Sequence, residues 1–266
     1  MKSLRKTIQD GDVVIGSWIS SGSPVVAELM AQAGFDYLCV DVEHSPVDLP
    51  QAQQLFQAIR SGDRNCFSTV RLHGIDYALV KRYVDAGAQG IIAPLVRSRE
   101  DVETLVRAVR YPPIGLRGVG FCRANGYGVK LSEQFERAND EVALILQIEH
   151  IDAVKNIDQI LNSEEVDAAF IGPYDLSASM GLTGQFEHPD YLAAIDLILG
   201  ACKRHKKTAG IHVVALEPKQ VEQRIEEGYS LIAYSLDITF LTTQCRDDLE
   251  KLKHVRKIKL NNLIEK

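Results

Sequence analysis

Leu144-Ile-Leu-Gln-Ile-Glu149 and Ala168-Ala-Phe-Ile-Gly-Pro-Tyr-Asp175 are the two stretches on which the reading of this chain turns. Each runs apolar and then stops abruptly at polar residues, the pattern of a strand buried on both faces that ends at a polar rim. Side chains alternate faces along a strand, so Gln147 and Glu149 point the same way. Asp175 follows Glu149 by 26 residues, about one strand-plus-helix step. Two carboxylates ending neighbouring parallel strands form a hard-oxygen site suited to a divalent cation. The competing reading is a structural pair that caps the helices following each strand.

The same punctuation recurs outward from these stretches. Short β-branched runs at 13–18, 37–41, 66–71, 90–93, 143–149, 168–171, 209–213 and 231–234 read as strands. Amphipathic segments such as 24–33, 77–86, 100–110, 153–161, 191–205 and 218–227 lie between them. Several end in a glycine (Gly34, Gly87, Gly228) that supplies the left-handed turn back toward the next strand. Eight such units match a (β/α)8 barrel, an α/β fold occupying 1–266 as a single domain, with 237–266 a helical C-terminal tail. One stretch interrupts the rhythm: 111–130 carries Pro112-Pro113 and five glycines, and loops of that length inside a barrel usually serve function.

Composition narrows the class. A chain of 266 residues with net charge −6 and no basic stripe beyond Lys203–Lys207 is expected to bind no nucleic acid. No run of about 18 apolar residues is present to cross a bilayer. Five scattered cysteines without CxxC spacing, and a polar N-terminus without a signal-peptide core, point to the cytoplasm.

In such a barrel the site forms where the strands' carboxyl ends meet the βα loops. Those ends carry Asp41-Val-Glu43-His44, Arg71-Leu-His73, Gln147-Ile-Glu149-His150, Gly172-Pro-Tyr174-Asp175, His212 and Ser235-Leu-Asp237. His44 is a candidate general base, with Asp41 placed to orient its ring; alone, it reads as a surface-loop histidine. Arg71 is either a strand-end ion-pair partner or the stabiliser of a developing oxyanion. His73, His150 and His212 stay ambiguous, and Trp18 is expected in the barrel wall. No lysine ends a strand, so a Schiff-base mechanism lacks its nucleophile. No glycine-rich phosphate cradle follows the last two strands.

With Ala33-Gly-Phe-Asp-Tyr37, Asp41-Val-Glu-His44, Arg110-Tyr-Pro-Pro113, Arg117-Gly-Val-Gly120, Gln147-Ile-Glu149 and Gly172-Pro-Tyr-Asp-Leu-Ser177 in place, the chain resembles the HpcH/HpaI aldolase family from about Gly16 to Leu252. These are metal-dependent (class II) pyruvate aldolases. The resemblance implies that Glu149 and Asp175 hold Mg²⁺ or Mn²⁺, or Co²⁺, while Gln147 and the backbone from Gly172 through Tyr174 to Asp175 bind pyruvate. It further implies His44 as proton acceptor, Asp85 as the aspartate that makes it basic, and Arg71 as transition-state stabiliser. The implied assembly is a homohexamer, a dimer of trimers, whose final helix is exchanged between barrels. Tyr174 stands where the type member has a small residue. Phe121-Cys-Arg-Ala-Asn-Gly-Tyr-Gly128 also differs from the type member and is expected to shape the aldehyde side.

The implied activity is reversible cleavage of a 4-hydroxy-2-oxo acid to pyruvate and an aldehyde. A citrate-lyase-like or malyl-CoA-type lyase is the enzymatic alternative, and it requires a coenzyme A groove. A metal-dependent oxo-acid-binding protein is the non-enzymatic one, but pure binding needs no base.

Overall fold

The structure, a computed structural model, describes residues 2–264, with side chains through Lys253. Eight parallel strands close into a barrel in sequence order: β1 (Val14–Ile19), β2 (Tyr37–Asp41), β3 (Phe67–Arg71), β4 (Gly90–Ala93), β5 (Ala143–Ile148), β6 (Ala168–Ile171), β7 (Thr208–Val213) and β8 (Leu231–Leu236). β8 pairs back onto β1, which removes both sheet edges. The expected (β/α)8 architecture is present, with strand ends displaced by one or two residues. Glu149 thus falls just past β5 rather than in it.

Alternation along the strands builds two cores. Trp18, Tyr37, Cys39, Ile92, Ile145 and Phe170 fill the barrel, while Leu38, Val40, Val70, Ile91, Leu144 and Leu146 face the surrounding helices. Inside, bulk on one strand is matched by its absence on a neighbour. A Cβ on Gly16 would overlap the Tyr37 ring, and one on Gly210 would meet Phe170 at 2.6 Å.

The helices start on side-chain caps: Ser23 accepts from Val26, Asp48 from Gln51 and Asp76 from Leu79, and Ser98 and Asp101 form a capping box. The helix Leu4–Gln9 plugs the N-terminal rim, burying Leu4 and Ile8 in the inner core. Beside it, Arg110 is fully buried. It donates to Glu165 at 2.6 Å and to the Val142 carbonyl at 2.7 Å, while Arg5 holds Asp167 at 3.0 Å. Arg110-Tyr-Pro-Pro113 is therefore a structural clamp at the closed end of the barrel.

The 111–130 segment contains one 3-10 turn, Arg123–Asn125, and is otherwise irregular. It joins the helix Arg99–Val109 to the helix Leu131–Glu141 ahead of β5, so it is inserted on the helix-to-strand side. The insertion thus enters at the rim opposite the strand carboxyl ends, so a role on the aldehyde side would have to be played across a subunit interface.

The last helix, Asp237–Ile264, covers all but the final two residues of the expected tail, which lie outside the described residues. It leaves Leu241, Leu249 and Leu252 exposed. Among the described residues, no helix is long and apolar enough to cross a membrane.

Candidate active site

β2 and β3 end in register, with Asp41 opposite Arg71. The Arg71 guanidinium donates to the buried Asp41 carboxylate twice, Nε to Oδ1 at 3.0 Å and Nη2 to Oδ2 at 2.6 Å. Such a fork-on-fork pair fixes the plane of the guanidinium as well as its position. Trp18 lies beneath, its ring centre 4.3 Å from the guanidinium carbon, and Glu43 flanks Nε at 3.4 Å. Trp18 is wall packing, as expected, and also the platform for Arg71.

Asp41 also accepts the backbone N–H groups of Glu43 (3.0 Å) and His44 (3.2 Å), which folds the loop after β2 over the rim. Its carboxylate is spent on Arg71 and this turn, so the expected orientation of the His44 ring by Asp41 is not formed. The His44 side chain is 66% exposed, and its Nε2 lies 3.9 Å from Glu43. Burial pushes the Glu43 carboxyl above its ordinary range, Arg71 opposes that rise, and its Oε2 has no hydrogen-bond partner.

Asp85 ends the helix Tyr77–Asp85, on the opposite rim of the barrel from His44. Its carboxylate accepts from the fully buried Arg117 at 2.7 Å, and Arg117 in turn stacks on Tyr111 at 4.6 Å. Contact between Asp85 and His44 is thus not made within one chain. Arg117-Gly-Val-Gly120 serves here as a structural anchor.

The other half of the rim is formed by β5 and β6. Glu149 is almost fully buried; Oε1 accepts the Leu95 N–H at 2.7 Å and Oε2 accepts the Gln147 amide. Leu95 takes a left-handed φ of 58°, costly for a side chain of its size, to aim that N–H. Gly172 packs against the same carboxylate: a Cβ there would sit 2.9 Å from the Glu149 Cβ and 3.0 Å from Oε2. Asp175 lies in the first turn of the helix Pro173–Ser179. Burial raises the Glu149 pKa, the Gln147 and Leu95 hydrogen bonds oppose the rise, and the negative charge of Asp175 adds to it. Tyr174 is 60% exposed, with its ring edge-on to Phe186 at 5.1 Å.

A buried Glu149 whose ionised form the Asp175 charge makes costlier, beside a buried Gln147 Oε1 with no protein partner, is an oxygen-donor set whose chemistry suits a divalent cation. No group of three or more His, Cys, Asp or Glu capable of holding a metal occurs among the described residues. Glu149 and Asp175 therefore fit an ion that keeps most of its coordination for water or substrate, as Mg²⁺ does.

Sequence reasoning missed Glu43 and Leu95 as site residues, and it left His212 undecided. His212 lies 5.4 Å from the Trp18 ring with Nε2 3.0 Å from the Ser235 carbonyl, and burial brings its pKa down to about 4. It is a neutral wall residue. His150 is a cap whose Nδ1 accepts from the Asp152 N–H.

Residues 14–243 match the model of the HpcH/HpaI aldolase/citrate lyase family. A hydroxypyruvate/pyruvate aldolase of Roseobacter denitrificans is 35% identical over 243 residues, covering 91% of this chain and 93% of that protein. A 4-hydroxy-2-oxo-heptane-1,7-dioate aldolase of Escherichia coli is 36% identical over 241 residues, covering 90% of each. The crystal structure of a family member from Burkholderia cenocepacia J2315 superposes with a TM-score of 0.90 at 34% identity, covering 95% of this chain and all of the other. On sequence, on fold and along nearly its whole length, the chain belongs to the HpcH/HpaI aldolase/citrate lyase family.

Proposed function

We propose that this protein is a class II aldolase that reversibly cleaves a 4-hydroxy-2-oxo acid to pyruvate and an aldehyde. The observation carrying this reading is the pairing, on one rim, of a guanidinium locked by Asp41 with the buried Glu149 and nearby Asp175. A divalent cation held by Glu149 and Asp175, with Mg²⁺ and Mn²⁺ as the preferred candidates and Co²⁺ as a third, would supply Lewis-acid polarisation of the 2-oxo group.

The chain's own residues do the rest. Gln147 and the backbone from Gly172 to Asp175 bind and orient the pyruvate moiety. His44 accepts the proton of the 4-hydroxyl as the C3–C4 bond breaks and the aldehyde leaves. The bonding pair moves toward the 2-oxo oxygen, and Arg71, already fixed in plane, donates hydrogen bonds to that developing charge. Protonation at C3 then gives pyruvate. Tyr174, on Phe186, borders the pocket on the pyruvate side.

The same reading extends to assembly. Exposed Phe121, Tyr127 and Val129 on the 111–130 insertion, and Leu241, Leu249 and Leu252 on the last helix, suit burial against further copies. A homohexamer with an exchanged terminal helix would cover them and would give Asp85 its route to a neighbour's His44.

The activity is tested by supplying 4-hydroxy-2-oxo acids of different chain length with Mg²⁺ or Mn²⁺ and following pyruvate through a coupled dehydrogenase. Pyruvate release that stops on chelation and returns with metal supports the reading. Turnover of a coenzyme A thioester alone would replace it with the lyase alternative.

A further inference from the structure

At the N-terminal rim, at the other end of the barrel from Arg71 and Glu149, a cavity of about 420 Å³ opens between the feet of β3 and β4, the 3-10 turn Arg123–Asn125 and the helix Leu131–Glu141. Its charged lining comprises Lys2, Arg60, Arg123, Arg137 and a single carboxylate, Glu141. Two of the four cations are already answered: Arg137 meets Glu141 at 2.7 Å, and Lys2 meets Asp10 at 2.8 Å and Asp12 at 2.6 Å. Arg60 and Arg123 are not. Arg60 donates to the Arg64 carbonyl at 3.1 Å and Arg123 to the Ala86 carbonyl at 3.2 Å. Among the described residues neither has a carboxylate within 4 Å.

Arg123 is half-buried, and burial holds its guanidinium below the ordinary range; Tyr127 opposes that fall and the like charge of Arg60 adds to it. The backbone makes room for this costly arrangement. Gly87, at φ +107°, lies directly against Arg123, and any Cβ there would overlap the guanidinium. Ser68 adds a hydroxyl to the lining, and Gln89 an amide. Helix-end carbonyls alone explain one capping arginine; they do not explain two that face a common cavity and repel each other.

We propose that this cavity is a binding site for a small phosphoryl anion, held between Arg60 and Arg123, with the Gln89 side-chain N–H₂, whose Oε1 already accepts from Ser68, as a further donor. A volume of this size suits a small metabolite rather than a macromolecule. Two guanidinium forks arriving from different elements suit a tetrahedral group with acceptors in several directions better than a planar carboxylate, which one fork satisfies. β3 carries Ser68 at this cavity and Arg71 at the catalytic rim, so one strand spans both sites.

Inorganic phosphate is the probe. In Mg²⁺-loaded protein, 10 mM phosphate is expected to raise Tm by about 3 °C or more relative to sodium chloride of equal ionic strength. The shift is expected to vanish in Arg60→Met, whose exposed side chain can change without unfolding the barrel, and in Arg123→Met. It is expected to persist in Glu149→Gln, which separates this cavity from the catalytic rim. Equal shifts in the wild type and Arg60→Met, or no shift in the wild type, would overturn the proposal. So would an Arg60→Met protein that loses its oligomeric state while phosphate has no effect, since the cavity would then hold a neighbour's carboxylates.

Discussion

Arg71 and Asp41, thirty residues apart in sequence, meet at the ends of adjacent strands through two hydrogen bonds of 3.0 and 2.6 Å. The Trp18 ring lies against the other side of that guanidinium. The proposed oxyanion donor is therefore pre-set in plane before substrate arrives. Arg71→Lys keeps the charge and loses the fork. We expect kcat/KM to fall about 10²–10³-fold, mostly in kcat, as for removal of one oxyanion donor. Asp41→Asn, which leaves Arg71 in place and frees its plane, should cost about tenfold. Steady-state kinetics with a saturating metal checks both, and an unchanged kcat in Arg71→Lys would remove Arg71 from the chemistry.

Gly172→Ala should act on the metal and not on the fold as a whole. The new methyl would press on the Glu149 side chain at 2.9–3.0 Å and displace its carboxylate. Apparent metal affinity is expected to fall about tenfold, with a modest loss of stability of about 1–3 kcal/mol. Metal titration of activity beside urea unfolding of the metal-free protein separates the two effects.

Asp85→Asn should show first in stability. It removes the carboxylate that answers Arg117, a guanidinium buried completely against Tyr111. Stranding such a charge costs about 3–5 kcal/mol. If activity falls at pH values where the folded fraction is unchanged, Asp85 also acts across a chain boundary, as the proposed assembly would have it.

His212 makes the pH dependence of stability specific. Its folded pKa of about 4 lies below the ordinary 6.5, so the unfolded chain takes up the proton first as pH falls. The stability it contributes is complete above about pH 6.5 and is lost between about 6.5 and 4, by up to about 3 kcal/mol. Urea unfolding of the metal-free protein across that window should show the slope in wild type and a flatter one in His212→Gln.

The barrel was legible because its strands are short apolar runs with abrupt polar ends, and Glu149, Asp175 and Gln147 stood at those ends. Alternation alone put Gln147 and Glu149 on one face, and the structure joins them through a hydrogen bond. What escaped depended on register and on which rim a helix ends at. Asp41 reads beside His44, its neighbour in sequence, whereas the β2–β3 register sets it opposite Arg71. Asp85 reads as a partner for His44, and the helix carrying it ends at the far rim, so within one chain its carboxylate meets Arg117 and the pairing with His44 is left to a chain boundary. Leu95 gave no signal, because an apolar residue whose backbone N–H serves a carboxylate resembles any other core leucine.

Enolate formation from pyruvate at the Glu149–Asp175 rim can be followed with no knowledge of the aldehyde. Pyruvate is incubated with the protein in D₂O, with Mg²⁺ or Mn²⁺ and again with chelator, and its methyl protons are followed by NMR. Methyl exchange is expected to depend on the metal and to be lost in Glu149→Ala. Absence of exchange at every metal concentration, or exchange that survives both chelator and Glu149→Ala, would contradict metal-dependent enolate formation at that rim.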